Sequence, residues 1–81
     1  MNVQEAVDQG TSILESKGVE SPRLSAEILV GFVTSQTRDQ VLARSDRRLS
    51  PQEENQFRVV LDRRQKHEPI PYIVGEVEFY S

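Results

Sequence analysis

His67 is the single histidine of the chain and the first residue to weigh as an acid–base catalyst. Such catalysis needs a partner within hydrogen-bond reach and a pocket to exclude water. Arg63, Arg64, Lys66 and Glu68 surround it in sequence and point to neither, so His67 reads as a surface residue at a helix end. Glu53 and Glu54 form an adjacent acid pair, but paired catalytic carboxylates need one member in an apolar setting. These two belong in a first helical turn, where acids are expected on electrostatic grounds alone. The glycines at 10, 18, 31 and 75 are too scattered to cradle a phosphate, and no Gly-x-Gly occurs. Cysteine is absent, which excludes a disulfide framework, a thiolate zinc site and a thiol nucleophile together. No catalytic, cofactor-binding or metal-ligating residue is therefore expected in this segment.

Arginine is the remaining candidate. Arg44, Arg47, Arg48, Arg58, Arg63 and Arg64 fall in the middle of a chain whose net charge is -3. The charge is uneven: residues 1–37 hold five acids and two bases, residues 38–68 six acids and eight bases, and residues 69–81 two acids. Asp39, Asp46, Glu53, Glu54 and Asp62 are available to neutralise the arginines into an ordinary solvated face. The functional reading is a docking surface for an acidic protein, with Arg44, Arg47 and Arg48 as the partner-binding residues. RNA or DNA fits less well, because no aromatic residues are interleaved for base stacking and the overall charge is negative.

The elements that must position these side chains are legible from periodicity and caps. Val3, Ala6, Val7, Gly10, Ile13 and Leu14 recur every three or four residues, which predicts an amphipathic helix. Asn2 and Glu5 supply a capping box at its start, and Lys17 with Gly18 its end. Gly10 lies on the apolar face, where a missing side chain lets another helix approach. Ser21 as cap and Pro22 at the first helical position open a second helix. From Leu24 to Val33 that helix is apolar on nearly every side, which makes it the central one. Thr37 with Gln40 repeats the capping signature ahead of Val41 and Leu42, a short third helix. Ser50, Pro51 and Glu53 open a fourth, with Phe57, Val60 and Leu61 buried, closing by about Glu68 before Pro69. The Ser-Pro pairs at 21–22 and 50–51 are explained by capping and need no phosphorylation role.

The tail differs. Residues 69–73 fit either a helical turn or an extended connector. Gly75 is expected to break the chain direction, after which Glu76 to Tyr80 alternate with period two like a strand. No other segment makes a convincing mate for such a strand.

With 81 residues and 36% hydrophobic content, the chain supports one thin-cored domain. The fold class expected is all-α: a small orthogonal bundle of four to five helices over residues 1–68, with residues 69–81 a linker that begins a β-hairpin. No apolar run approaches the ~18 residues of a membrane span, and residues 1–20 lack a secretory leader pattern. A cytoplasmic protein is expected.

Two stretches carry a family resemblance. Residues 21–29, Ser21-Pro22-Arg23-Leu24-Ser25-Ala26-Glu27-Ile28-Leu29, resemble the S-P-R-L-D-A-E-L-L segment of the HemK/PrmC family, the release-factor glutamine methyltransferases. Arg63 and Arg64, then Glu68-Pro69-Ile70-Pro71-Tyr72-Ile73-Val74-Gly75-Glu76 with Phe79, resemble that family's R-R-…-E-P-x-x-Y-I-x-G-E-x-x-F junction. Ser25 stands where the family usually has Asp. The resemblance covers essentially the whole chain. It implies a recognition bundle, then a hairpin linker, then a Rossmann-like methyltransferase domain. The implied parent uses S-adenosylmethionine to methylate the glutamine amide of the Gly-Gly-Gln loop in peptide-chain release factors. The family's cofactor loop and its Asn-Pro-Pro-Tyr motif do not occur here; Pro69-Ile70-Pro71-Tyr72 lacks the Asn and belongs to the junction pattern. A stand-alone adaptor and a small nucleic-acid-binding domain are the rival readings.

The capping assignment at Ser50 has a direct consequence. Ser50→Ala should lower stability by about 1 kcal/mol in a denaturant melt, through loss of the bond to the third helical amide.

Overall fold

The computed structural model describes the backbone of residues 1–78 and the side chains of residues 1–75. The described residues form helices α1 (Val3–Ser16), α2 (Pro22–Thr34), α3 (Arg38–Ala43), α4 (Pro51–Gln65) and α5 (Ile70–Glu78). The chain is a small all-α bundle.

Helix α1 follows from its pattern. Val3, Ala6, Val7, Gly10 and Leu14 are buried, and Ile13 is half-buried at the edge of the stripe. Asn2 Oδ1 accepts from the Glu5 amide at 2.8 Å, and Glu5 Oε1 accepts from the Asn2 amide at 2.8 Å. At the other end Gly18 takes φ +70°. The reversal lets the Val19 amide donate to Leu14 O at 3.0 Å and the Gly18 amide to Glu15 O at 3.1 Å. Val19 and Leu14 are both buried, completing the apolar contact that accompanies this cap.

Helix α2 is the centre of the bundle and packs against each of the other four helices. Ala26, Leu29 and Val30 have no exposed surface. The closest approach is to α1. A Cβ on Gly10 would lie 3.2 Å from Ala26 Cβ and 3.2 Å from the Phe57 ring. The start of α2 differs from expectation. Ser21 precedes Pro22 as foreseen, but at φ 49°, ψ 58° its side chain makes no capping bond. A capping hydroxyl reaches the helix amides from an extended backbone, and left-handed Ser21 is not extended. Proline, rather than serine, marks this start.

Two helices end on left-handed residues that are not glycine. Ser35 (φ 57°) closes α2, with the Gln36 amide donating to Gly31 O at 2.8 Å. That reversal brings Gln36 O to 2.7 Å from where a Gly31 Cβ would stand, so only glycine fits at position 31. His67 (φ 63°) closes α4, with the Glu68 amide donating to Arg63 O at 3.2 Å and the His67 amide to Arg64 O at 2.9 Å. The histidine is exposed, and its structural contribution is this turn.

The capping boxes at Thr37–Gln40 and Ser50–Glu53 both form, and Phe57, Val60 and Leu61 are buried on α4 as their spacing predicts. The tail departs from expectation. Residues 70–78 are helical, so Gly75 interrupts nothing and Glu76–Glu78 are not extended. The only β-pairing among the described residues is an isolated Asn2–Arg48 bridge. With no strand edge to join, a helix satisfies the backbone of this segment internally. Ile73 is fully buried where α5 meets α4 and α2. Phe79–Ser81, the rest of the expected strand, lie outside the described residues.

His67→Gly should raise stability by about 1 kcal/mol, by removing the Cβ clash of a left-handed residue. A denaturant melt checks this, and a loss of stability would mean that the imidazole contributes more than its backbone costs.

Candidate functional site

The described residues enclose no pocket, and among them no group of three His, Asp or Glu side chains could hold a metal ion. The glycines have structural employment: Gly10 at a helix crossing, Gly18 and Gly31 at helix ends. What the chain offers a partner is its surface.

The expected partner-binding residues lie on the loop between α3 and α4, which is fastened to the start of α1. The first amides of a helix have no partner within it. In α1 the Val3 amide donates to Arg47 O at 2.8 Å and the Gln4 amide to Ser45 O at 2.9 Å. The third is met by Asn2, and Leu49 N donates back to Met1 O at 3.0 Å. The carbonyls of the basic loop thus finish the cap of a helix far away in sequence.

The three arginines separate within this frame. Arg47 is half-buried, and its guanidinium forks onto Glu53: Nη1 donates to Oε1 at 3.2 Å and Nη2 to Oε2 at 3.1 Å. Glu53 also closes the capping box of α4, accepting from the Ser50 amide at 2.9 Å. Its carboxyl is held below the usual range, first by the Arg47 hydrogen bond and then by those from Ser50. Arg47 is correspondingly held more firmly charged. Arg44 and Arg48 are exposed, and among the described residues neither guanidinium makes a hydrogen bond or ion pair. Glu54 accepts from the Met1 ammonium at 2.8 Å. Its carboxyl is also lowered, first by that hydrogen bond and more weakly by Arg58 and Arg48.

Leu42 was expected only as a helix former beside Val41. Val41 is buried as α3 packs on α2, whereas Leu42 is 52% exposed. The helical rotation between adjacent residues explains it: a helix of six residues has one buried face, and Val41 occupies it.

The residues that carry the resemblance do structural work. Glu27 is buried, with Oε1 accepting from Arg38 Nε at 2.8 Å and Oε2 lying 3.3 Å from Arg23 Nε. Arg23 also lies 3.9 Å from Asp8, so the cluster links α1, α2 and α3. At the other pole Arg64 Nε donates to Ser25 Oγ at 3.3 Å and Arg64 Nη1 to Glu68 O at 3.0 Å. Arg63 pairs with the Glu68 carboxylate. Two stretches some forty residues apart are therefore one contact, and Ser25 makes a polar bond although it is not Asp.

The profile of the PrmC N-terminal domain family matches residues 5–75. The chain belongs to this family. It is similar to the release factor glutamine methyltransferase of Moorella thermoacetica, 38% identical across 100% of this chain and 29% of that protein. The release factor glutamine methyltransferase of Haemophilus influenzae is 37% identical over 100% of this chain and 28% of its own length. A bifunctional methyltransferase of Rickettsia bellii is 36% identical over 99% of this chain and 14% of its own. The chain thus spans less than a third of these PrmC-type relatives. No solved structure matches it.

Arg47 and Glu53 give a pH signature. Because the folded carboxyl titrates below its unfolded value, the pair's stabilisation is complete above about pH 5 and is lost as pH falls through the lowered pKa. Glu53→Gln keeps the capping box but removes the charge, so it should be less stable than wild type at pH 7 by about 0.5–1 kcal/mol, with the gap closing towards pH 3. A gap independent of pH would contradict the ion pair.

Proposed function

We propose that this chain is the substrate-recognition domain of a protein-glutamine methyltransferase that modifies peptide-chain release factors. One observation carries the reading: a PrmC N-terminal domain match over residues 5–75, together with relatives named as release factor glutamine methyltransferases of which this chain fills 28–29%. In this reading residues 1–68 are the recognition bundle. Residues 69–81 lead into a linker hairpin and then a methyltransferase domain that binds S-adenosylmethionine. The bundle works in the cytoplasm, where release factors meet the ribosome.

A division of labour follows from the chemistry. The lone pair of a glutamine amide nitrogen is delocalised, so the nitrogen is a weak nucleophile. Transfer of a methyl group to it depends on alignment and on hydrogen bonds to the amide. S-adenosylmethionine supplies the electrophilic methyl, but the described residues do not fit it, having neither pocket nor glycine-rich loop. No step of the transfer runs through them. What a rigid bundle contributes is a grip on the body of the release factor that brings its Gly-Gly-Gln loop to the reacting centre. Such binding remote from the reacting atoms raises kcat/KM for the whole substrate and leaves a minimal substrate untouched. The loop that carries Arg44, Arg47 and Arg48 is the proposed grip.

The full-length enzyme should be compared with a form lacking residues 1–75, both checked for binding of S-adenosylmethionine. Deletion should lower kcat/KM for an intact release factor by about tenfold or more and leave methylation of a short Gly-Gly-Gln peptide unchanged. An equal effect on both substrates, or none on either, would contradict a recognition role.

A further inference from the structure

Resting on that reading, we infer that Arg64 is a positioning residue. It fixes the direction in which the chain leaves the recognition bundle, and so holds a gripped release factor in register with the methyltransferase centre.

In that reading residues 69–81 join the bundle to the catalytic domain, so the corner between α4 and α5 is where the two would swing apart. A hinge is a short stretch of backbone that can absorb large changes in φ and ψ. Here the backbone is tied at every step. The Lys66 amide donates to Asp62 O at 3.3 Å and to Arg63 O at 3.2 Å, the His67 amide to Arg64 O at 2.9 Å, and the Glu68 amide to Arg63 O at 3.2 Å. Pro69 has no amide to satisfy, and its ring sets φ at about −65°. Pro69 O accepts from the Tyr72 amide at 3.0 Å and the Ile73 amide at 3.3 Å, which starts α5 at once. Fully buried Ile73 then seats that helix where it meets α4 and α2.

One side chain ties this corner to the interior. Half-buried Arg64 donates from Nε back to Ser25 Oγ at 3.3 Å, and from Nη1 forward to Glu68 O at 3.0 Å, the carbonyl just before Pro69. Ser25 is itself buried on α2, the helix that the others pack against. A single guanidinium therefore bridges the centre of the bundle and the residue at which the chain turns out of it. Its planar fork fixes angle as well as distance. Arg63, paired with the Glu68 carboxylate, braces the same turn.

The consequence is kinetic. A grip remote from the reacting atoms aids transfer only when the held substrate meets the centre at a set distance and angle, and a misplacement of about 1 Å can cost about a hundredfold in rate. A loosened corner keeps the grip and loses the alignment. Arg64 thus acts on the transfer step without touching the substrate.

The test uses the full-length enzyme, a purified release factor and a short Gly-Gly-Gln peptide. Arg64→Ala should lower the single-turnover rate at saturating intact release factor by about tenfold. It should leave Kd for the release factor and methylation of the peptide unchanged. Two glycines inserted between Glu68 and Pro69 leave residues 1–68 as they are and should give the same split, which decides the matter even if Arg64→Ala fails to fold. An undiminished rate on intact release factor in either folded variant would overturn the assignment. So would a loss of affinity as large as the loss of rate, or equal slowing on the peptide. If deletion of residues 1–75 leaves kcat/KM for intact release factor unchanged, the recognition reading itself fails. An effect of that deletion with none from Arg64→Ala removes only the role of Arg64.

Discussion

Much of this molecule depends on how the first turn of α1 is completed. Its amides have no intrahelical partners, and the chain supplies them from the loop after α3: Arg47 O for Val3 and Ser45 O for Gln4. That arrangement fixes where α3 ends and where α4 begins. It seats Leu49 in the core and sets the Asn2–Arg48 bridge. The same loop carries Arg44 and Arg48, both exposed, so a demand of helix geometry also fixes the backbone from which these two charges project. Were the loop released, α1 would lose two caps and the Arg47–Glu53 fork would lose its geometry.

The rest of the bundle is organised by α2. In a chain with so few hydrophobic residues, one helix enclosed by four others makes an interior that the neighbours share. Glycine at position 10 lets α1 close on Ala26, and glycine at 31 lets the chain fold back over the end of α2. The buried acid of that helix, Glu27, is tolerated because two arginines bracket it; an unpaired buried carboxylate would be costly. The residues that carry the resemblance are mostly these packing and capping devices. Arg64 on Ser25 joins the two stretches that carry the resemblance.

Helices α1, α3 and α4 were readable in the sequence from their capping boxes, and α2 from Pro22 and the apolar run that follows it. Asn2–Glu5, Thr37–Gln40 and Ser50–Glu53 signal locally, and locally they form. Signals that depend on long-range geometry were not readable. Ser21 looks like a cap, but its backbone conformation prevents it. Alternation at 76–80 looks like a strand, yet a strand requires a neighbour, and the described residues through Glu78 are helical instead. The basic cluster was visible as composition, but its division into an engaged Arg47 and exposed Arg44 and Arg48 depends on the distant Glu53 and on the start of α1. Leu42 carried no signal at all, since one apolar residue beside another does not say which of them faces inward.

The fastening of the α3–α4 loop is tested most directly by amide hydrogen exchange at Val3 and Gln4. First-turn amides open to water exchange quickly, whereas these two should be protected to nearly the level of Leu29 and Val30 at the centre of α2. Exchange at Val3 and Gln4 as fast as in an unprotected turn would mean that the loop is not held there, and that Arg44 and Arg48 have no fixed platform.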